Sequence, residues 1–134
     1  MATITTIYQG QLRTQASHNQ SGSRIITDAP TDNHGKGEAF SPTDLFAASL
    51  GSCLLTIAGI AAQTHGFSIE GARIETQKIM TDSPRRIGEI ILDIHLPANR
   101  YTAREKRIIE ASASGCPVAH SLHPNIKRTI RFHY

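Results

Sequence analysis

The sequence predicts an α+β domain in which two helices pack against an antiparallel sheet. Residues 41–66 have the composition of a long uncharged helix, and residues 102–115 have that of a second, amphipathic one. Six short segments around them are rich in β-branched residues or alternate in polarity, as strands do. At 134 residues the chain fits one domain, residues 1–134, with no repeat and no linker.

The first helix has a clear beginning and a clear end. Ser41 is placed to cap it, Pro42 suits the first helical position, and Asp44 occupies the capping-box position. Gly66 suits the left-handed conformation that ends helices. Residues 45–62 carry no charge, so we expect this helix to be buried on every side. Its small residues recur at spacings of four, which favours close approach of another helix, from this chain or from a second copy.

The predicted strands precede and follow that helix. They are residues 3–9, 11–17, 22–27, 68–81, 86–96 and 125–134. Residues 28–40 form a polar loop with glycine and proline, of a length that usually serves to cover a site. Thr102 caps the second helix with Glu105 at the capping-box position, and Cys116 and Pro117 open a further short helix.

Composition excludes several classes of function. The net charge is +3, the basic residues are scattered, and 5% of residues are aromatic, so a nucleic-acid partner is not expected. The N-terminal segment has no apolar run of the signal-peptide type. Two cysteines are too few for a secreted disulfide framework, which indicates the cytoplasm. The uncharged run contains serine, glycine and threonine, which argues against a membrane span.

The two cysteines are the candidate chemistry. Cys53 lies in the middle of the apolar helix, and Cys116 lies at a helix start, where unsatisfied N–H groups favour the thiolate. Two other interpretations stay open. Both thiols would also suit a buried core, as most free cysteines do. Alternatively, Cys116, His120 and His123 share one helix face and would bind zinc with a fourth ligand such as Cys53 or His65.

Two motifs carry a family resemblance. The segments SPTDLFAASLGSC and SGCPVAHSLHPNI, with the cysteine eleven residues after Pro42, resemble the osmotically induced and organic-hydroperoxide-resistance (OsmC/Ohr) family. The resemblance spans most of the chain, and GCPVAHSL is the more specific motif. It implies an α+β fold whose two protomers intertwine, with the cysteine-bearing helices buried at the centre of a homodimer.

The resemblance also implies an activity without a bound cofactor. It is thiol-dependent reduction of organic hydroperoxides, with electrons from dithiols such as lipoylated proteins. Cys53 would be the peroxidatic thiol and Cys116 the resolving one. The chemistry needs a thiolate, which becomes a sulfenic acid and then a disulfide with a nearby thiol. We expect an oxidative-stress function on this ground.

The activating pair departs from the family pattern. The peroxidase branches hold an arginine with a glutamate ten residues before the reactive cysteine, where this chain has Thr43. Asp44 is the nearest carboxylate, and it serves either as a helix cap or in the site of a partner protomer. Arg24 is the candidate arginine and Lys36 the alternative cation. The divergence leaves a second function open, a non-catalytic relative that binds a small molecule or senses oxidants at the dimer interface.

Overall fold

The structure is a computed structural model that describes residues 1–134. The chain divides into two compact units, Met1–Phe46 and Ala47–Tyr134. Each unit contains one three-stranded sheet. The α+β class predicted from the sequence is therefore confirmed, with two sheets where one was expected.

The first unit contains an antiparallel sheet in the order β1-β2-β3. Its strands are β1 (Ile4–Gly10), β2 (Arg13–His18) and β3 (Arg24–Asp28). The turn between β1 and β2 is made by Gln11 and Leu12, with φ of 53° and 64°. Left-handed conformation at both central residues is the geometry of the tightest hairpins. Gly10 ends β1 next to a register shift.

Helix α1 (Pro42–His65) begins and ends as its sequence predicts. The Ser41 N–H donates to Asp44 Oδ2 at 2.9 Å, and the Asp44 N–H donates to Ser41 Oγ at 3.0 Å. These two bonds form a reciprocal capping box. Gly66, with φ of +77°, follows the last turn.

The expectation that α1 is buried on every side is wrong for the single chain. One face is buried, made of Ala47, Leu50, Gly51, Leu54, Ala58 and Ala62. The opposite side is open, and Ile60 is 56% exposed there. α1 is the one helix long and apolar enough to cross a membrane, a criterion that the core helix of a soluble protein also meets. Its buried face belongs to a protein core.

The second unit contains a mixed sheet in the order β4-β5-β6. Its strands are β4 (Arg73–Thr81), β5 (Arg86–His95) and β6 (Lys127–His133). β4 and β5 form the predicted antiparallel hairpin, but β6 pairs with β5 in parallel, which corrects the prediction of a wholly antiparallel sheet. The physical reason is the long connection, because residues 96–126 contain the helices of a crossover, and parallel neighbours require one.

That connection contains two helices. They are α2 (Ala103–Ala111) and α3 (Pro117–Ser121), separated by a 3-10 turn over Ser112–Ser114. α2 carries a complete capping box between Thr102 and Glu105. Pro117 occupies the first turn of α3, as expected.

The hydrophobic core lies in the second unit. β5 contributes Ile90 and Leu92, neither exposed, and α1 contributes Leu50 and Leu54. Gly51 lies where α1 meets β4, since a Cβ atom there would stand 3.4 Å from Thr76 Oγ1. At this position the small residue of α1 permits close packing on a strand, and not on a second helix as expected from the sequence.

Candidate thiol site

The structure brings the two cysteines together. Cys53 lies near the middle of α1, and Cys116 is the residue that precedes the first turn of α3. Both are free thiols, and they are near neighbours, since Cys53 contributes to the raised pKa of the Cys116 thiol. Residues 63 positions apart in the sequence thus meet because the crossover returns the chain to α1 before it enters β6. Proximity of this kind is a precondition for a disulfide between them.

The two thiols differ in access. Cys116 has no exposed surface and is part of the core. Cys53 is partly buried and packs against the same core. A reagent from solution therefore reaches Cys53 first.

Their surroundings also separate their acid–base properties. Burial raises the pKa of the Cys116 thiol, and the neighbouring Cys53 raises it further through their hydrogen bond and mutual charge repulsion. The backbone amides of Ala119 and Val118 at the start of α3 lower that pKa, as the sequence led us to expect, but they do not outweigh burial. The helix start thus acts in the expected direction, and burial acts more strongly against it.

The interpretation as a zinc site is not supported by the geometry. No group of three His, Cys, Asp or Glu side chains in the chain is arranged to hold a metal ion. His123 instead accepts a hydrogen bond at its Nδ1 from the Asn125 N–H, at 3.0 Å. His120 is exposed on α3 and lines a shallow cleft with Arg128. Cys53 is the side chain that perturbs the pKa of Cys116, and neither histidine contributes to it.

The candidate activating residues lie in the first unit. Arg24 is exposed on β3, opposite Ser17 in the register, and it forms no ion pair. Asp44 is the capping carboxylate of α1. Lys36 donates from Nζ to Gln11 Oε1 at 3.2 Å. Their roles in catalysis stay predictions.

Sequence reasoning missed Arg13, an arginine of the first unit that is bound by a carboxylate through two hydrogen bonds. Arg13 donates from Nε to Asp28 Oδ1 at 2.8 Å and from its terminal nitrogen to Asp28 Oδ2 at 2.9 Å. Asp28 is 3% exposed and also accepts from the Glu38 N–H. The hydrogen bond from Arg13 holds the pKa of the Asp28 carboxyl below its ordinary value. The strand register places Arg13 directly opposite Asp28, and neither strand's own sequence encodes that pairing.

Comparisons with known proteins agree with this fold. A family model described as OsmC-like protein matches residues 35–131. A crystal structure from Psychrobacter arcticus, of a protein named for osmotic stress induction and detoxification response, is 47% identical with a TM-score of 0.95. The match covers 99% of this chain and 96% of the Psychrobacter chain. No curated protein matches.

More distant structures share the fold alone. An organic hydroperoxide resistance protein OsmC from Legionella pneumophila is 15% identical with a TM-score of 0.77, covering 100% of this chain and 98% of its own. The organic hydroperoxide resistance protein OhrB of Bacillus subtilis is 18% identical with a TM-score of 0.71, covering 98% and 97%. With the family model matching most of its length, this chain belongs to the OsmC-like protein family.

Proposed function

We propose that this protein is a cytoplasmic, thiol-dependent peroxidase that reduces organic hydroperoxides. The observation that carries the proposal is the proximity of the partly exposed Cys53 to the fully buried Cys116. An accessible thiol beside a protected one is the arrangement that a two-cysteine peroxidase needs. Family membership supports the same class of chemistry.

The first step is attack by Cys53. Its thiolate sulfur attacks the terminal peroxide oxygen, the O–O bond breaks, and the alkoxide takes a proton and leaves as an alcohol. The sulfur is oxidised to a sulfenic acid while the peroxide is reduced. The uncharged surface of α1 around Cys53 suits a hydroperoxide with an apolar substituent better than hydrogen peroxide.

The second step is resolution by Cys116. Its sulfur attacks the Cys53 sulfur and expels the hydroxyl group as water, which leaves a disulfide. In the reduced protein, charge repulsion from Cys53 contributes to the raised pKa of Cys116. A sulfenic acid is neutral, so this repulsion disappears once Cys53 is oxidised, and Cys116 ionises more readily when it is needed. An external dithiol, such as a lipoylated protein, then restores both thiols by exchange.

We propose further that two copies form the active molecule. In the first unit Ile4, Tyr8 and Ile25 lie on one face of the sheet and are each 47–64% exposed. On α1, the exposed Ile60 continues an uncharged side. A second copy of the chain is the occupant that we infer for these surfaces, because an uncharged helix side and a β-branched sheet face suit a self-complementary interface. Any role of Arg24 or Asp44 at the thiol would be exercised in this dimer.

One observation favours a second function. Thr43 stands where the family's peroxidases carry a glutamate, and Arg24 has no carboxylate partner. A thiol without its activating pair reacts slowly, and the protein would then be a non-catalytic relative that binds a small molecule or senses oxidants.

The test follows each thiol separately. Reduced protein is mixed with cumene hydroperoxide in the absence of a dithiol, and the products are identified by mass spectrometry. We expect a Cys53–Cys116 disulfide in the natural protein and a dimedone-reactive sulfenic acid in Cys116→Ser. Cys53→Ser is expected to consume no peroxide.

Turnover is then measured with dihydrolipoamide as the reductant. Peroxide loss that survives Cys53→Ser would overturn the proposal. Oxidation of Cys53 that is no faster than that of free cysteine would instead select the non-catalytic alternative. Hydrogen peroxide serves as the matched substrate, and we expect it to be reduced more slowly than cumene hydroperoxide.

A further inference from the structure

A second cleft lies in the unit that contains the thiols but shares no residue with them. Its volume is about 440 Å³. It is lined by Pro97, Ala98, Arg100, Tyr101, Lys106 and Tyr134. The loop after β5, helix α2 and the residue after β6 therefore meet here.

The walls of this cleft are aromatic. The Tyr101 and Tyr134 rings stand edge to face, with centroids 6.2 Å apart and planes at 65°. The Tyr101 hydroxyl donates to the Ser68 carbonyl at 2.7 Å, and the Tyr134 hydroxyl donates to Glu110 Oε2 at 3.0 Å. Because both hydroxyls have partners, the tyrosines offer the cleft ring surface, most of it from Tyr134, which is 46% exposed against 9% for Tyr101. These bonds also hold the two rings in place before any ligand arrives.

The cleft is also cationic. Lys106 Nζ lies 4.7 Å from the centroid of the Tyr134 ring, and Arg100 is exposed on the adjoining loop. Neither cation forms an ion pair within the chain. Two carboxylates lie near them in sequence: Glu105 accepts from the Thr102 N–H, and Glu110 accepts from the Tyr134 hydroxyl and keeps its negative charge there. The residues that line the cleft thus carry two positive charges and no negative one, with Glu110 as a single carboxylate at its edge.

We infer that this cleft binds a small aromatic carboxylate. The ring of such a ligand would pack against Tyr101, Tyr134 and Pro97, where edge and face contacts are favourable. Its carboxylate would pair with Lys106 and Arg100, for which a charge-assisted hydrogen bond is the strongest available contact. An inorganic anion would use the cations alone, and a neutral aromatic would use the walls alone. The combination is selective for a molecule that carries both groups.

The test uses 2-naphthoate as the probe and isothermal titration calorimetry on the full chain. We expect saturable binding with a dissociation constant on the order of 1 mM or tighter, given the size of the probe. Two matched compounds separate the contributions. We expect 2-naphthalenemethanol, which lacks the charge, and inorganic phosphate, which lacks the ring, each to bind at least about tenfold more weakly.

Variants locate the site. Lys106→Met and Arg100→Gly are each expected to weaken 2-naphthoate binding by about tenfold. Glycine is chosen at position 100 because φ there is 51° and glycine keeps that conformation without strain. Arg107→Met is the control, since Arg107 is exposed on the same helix and does not line the cleft. The thermal melting temperature of each variant verifies folding.

Three results would overturn the inference. The first is the absence of saturable binding at 10 mM 2-naphthoate, a concentration on the order of ten times the expected dissociation constant. The second is binding of 2-naphthalenemethanol that equals that of 2-naphthoate. The third is unchanged binding of 2-naphthoate by Lys106→Met. A shift of the Tyr134 ring proton resonances on titration with 2-naphthoate would support the inference directly. In Tyr134→Phe, the ring protons of the phenylalanine at position 134 should shift in the same way. None of these readouts depends on the thiols or on peroxidase activity.

Discussion

The two units of this protein bury different kinds of side chain. In Ala47–Tyr134 the buried set is a continuous apolar core around β5 and one face of α1. In Met1–Phe46 the buried side chains are polar, namely Thr27, Asp28 and Ser41, and no hydrophobic residue there is buried. One unit is organised by the hydrophobic effect and the other by hydrogen bonds and the ion pairs that Arg13 makes with Asp28 and Glu38.

The difference shows what the first unit lacks. Ile4, Ile7 and Tyr8 on β1 are more than half exposed, and Ile25 is 47% exposed. A half-exposed isoleucine leaves most of its transfer free energy unused, and burying one fully is worth about 1.5–3 kcal/mol. A sheet of three strands needs an apolar face against another layer to be stable. These facts favour the proposed dimer as the source of that layer.

The largest effect that we expect is from a core truncation in the second unit. Ile90→Ala should lower the free energy of unfolding by about 2–5 kcal/mol, because the side chain is wholly buried on the central strand and its removal leaves a cavity. Urea denaturation of the purified protein measures the change. The matched control is Ile79→Ala on β4, where the side chain is 37% exposed and the cost should be clearly smaller. Equal costs would contradict the assignment of the core.

A charge on the exposed sheet of the first unit tests the dimer. Ile25→Lys should weaken self-association by at least about tenfold, or about 1.4 kcal/mol, because a lysine buried in an interface loses its hydration. Sedimentation velocity over a range of micromolar concentrations measures it. Gln20→Lys adds the same charge at an exposed residue outside the strands and should leave association unchanged. A natural protein that sediments as a monomer at all these concentrations would contradict the proposal.

The sequence predicted the elements well where the signal was local. Ser41, Pro42 and Gly66 mark the ends of α1 through hydrogen bonds within a few residues of each other, so the pattern is readable without the fold. The same holds for Thr102 and Glu105 at α2. Such signals need no knowledge of what the helix packs against.

The misses are non-local. The parallel pairing of β6 depends on the path of the whole crossover, which no local pattern encodes. The Arg13–Asp28 pair depends on the register between β2 and β3, and a shift of one residue would turn both side chains to the other face. The pKa of Cys116 depends on how deeply its own side chain is buried, which outweighs the lowering that the helix start predicts. The contact between Cys53 and Cys116 was proposed through the family resemblance and not through spacing.

The Arg13–Asp28 pair makes a prediction about acid stability. Its hydrogen bond lowers the folded-state pKa of Asp28 below the ordinary value of 3.8. The unfolded chain therefore binds this proton first as pH falls, so the pair stabilises the fold above about pH 4 and is lost as pH drops through the lower folded value. Melting temperatures between about pH 2 and pH 6 should fall steeply for the natural protein.

Asp28→Asn should melt at a lower temperature at neutral pH and show a shallower decline in acid. Asp93 in the second unit also contributes to the loss of stability in acid, because its hydrogen bond with His133 lowers the pKa of its carboxyl. Asp93→Asn is therefore the parallel variant, and circular dichroism at each pH compares the two. If Asp28→Asn left the acid decline unchanged while Asp93→Asn abolished it, the ion pair would have no part in the stability of the first unit.

The smallest effects that we expect come from the two helix caps, which compare the units on one kind of interaction. Thr102→Ala removes an exposed capping hydroxyl from α2 and should cost about 0.5–1 kcal/mol of unfolding free energy. Ser41→Ala removes a capping hydroxyl that is 1% exposed and should cost more, about 1–2 kcal/mol, because the Asp44 N–H loses its partner away from water. Thr102→Ser keeps the hydroxyl and serves as the control in the same urea titrations. Since the first unit depends on polar contacts, losing one of them should matter more there. A cost for Thr102→Ala that equals or exceeds that for Ser41→Ala would show that the buried polar groups of the first unit are not what stabilises it.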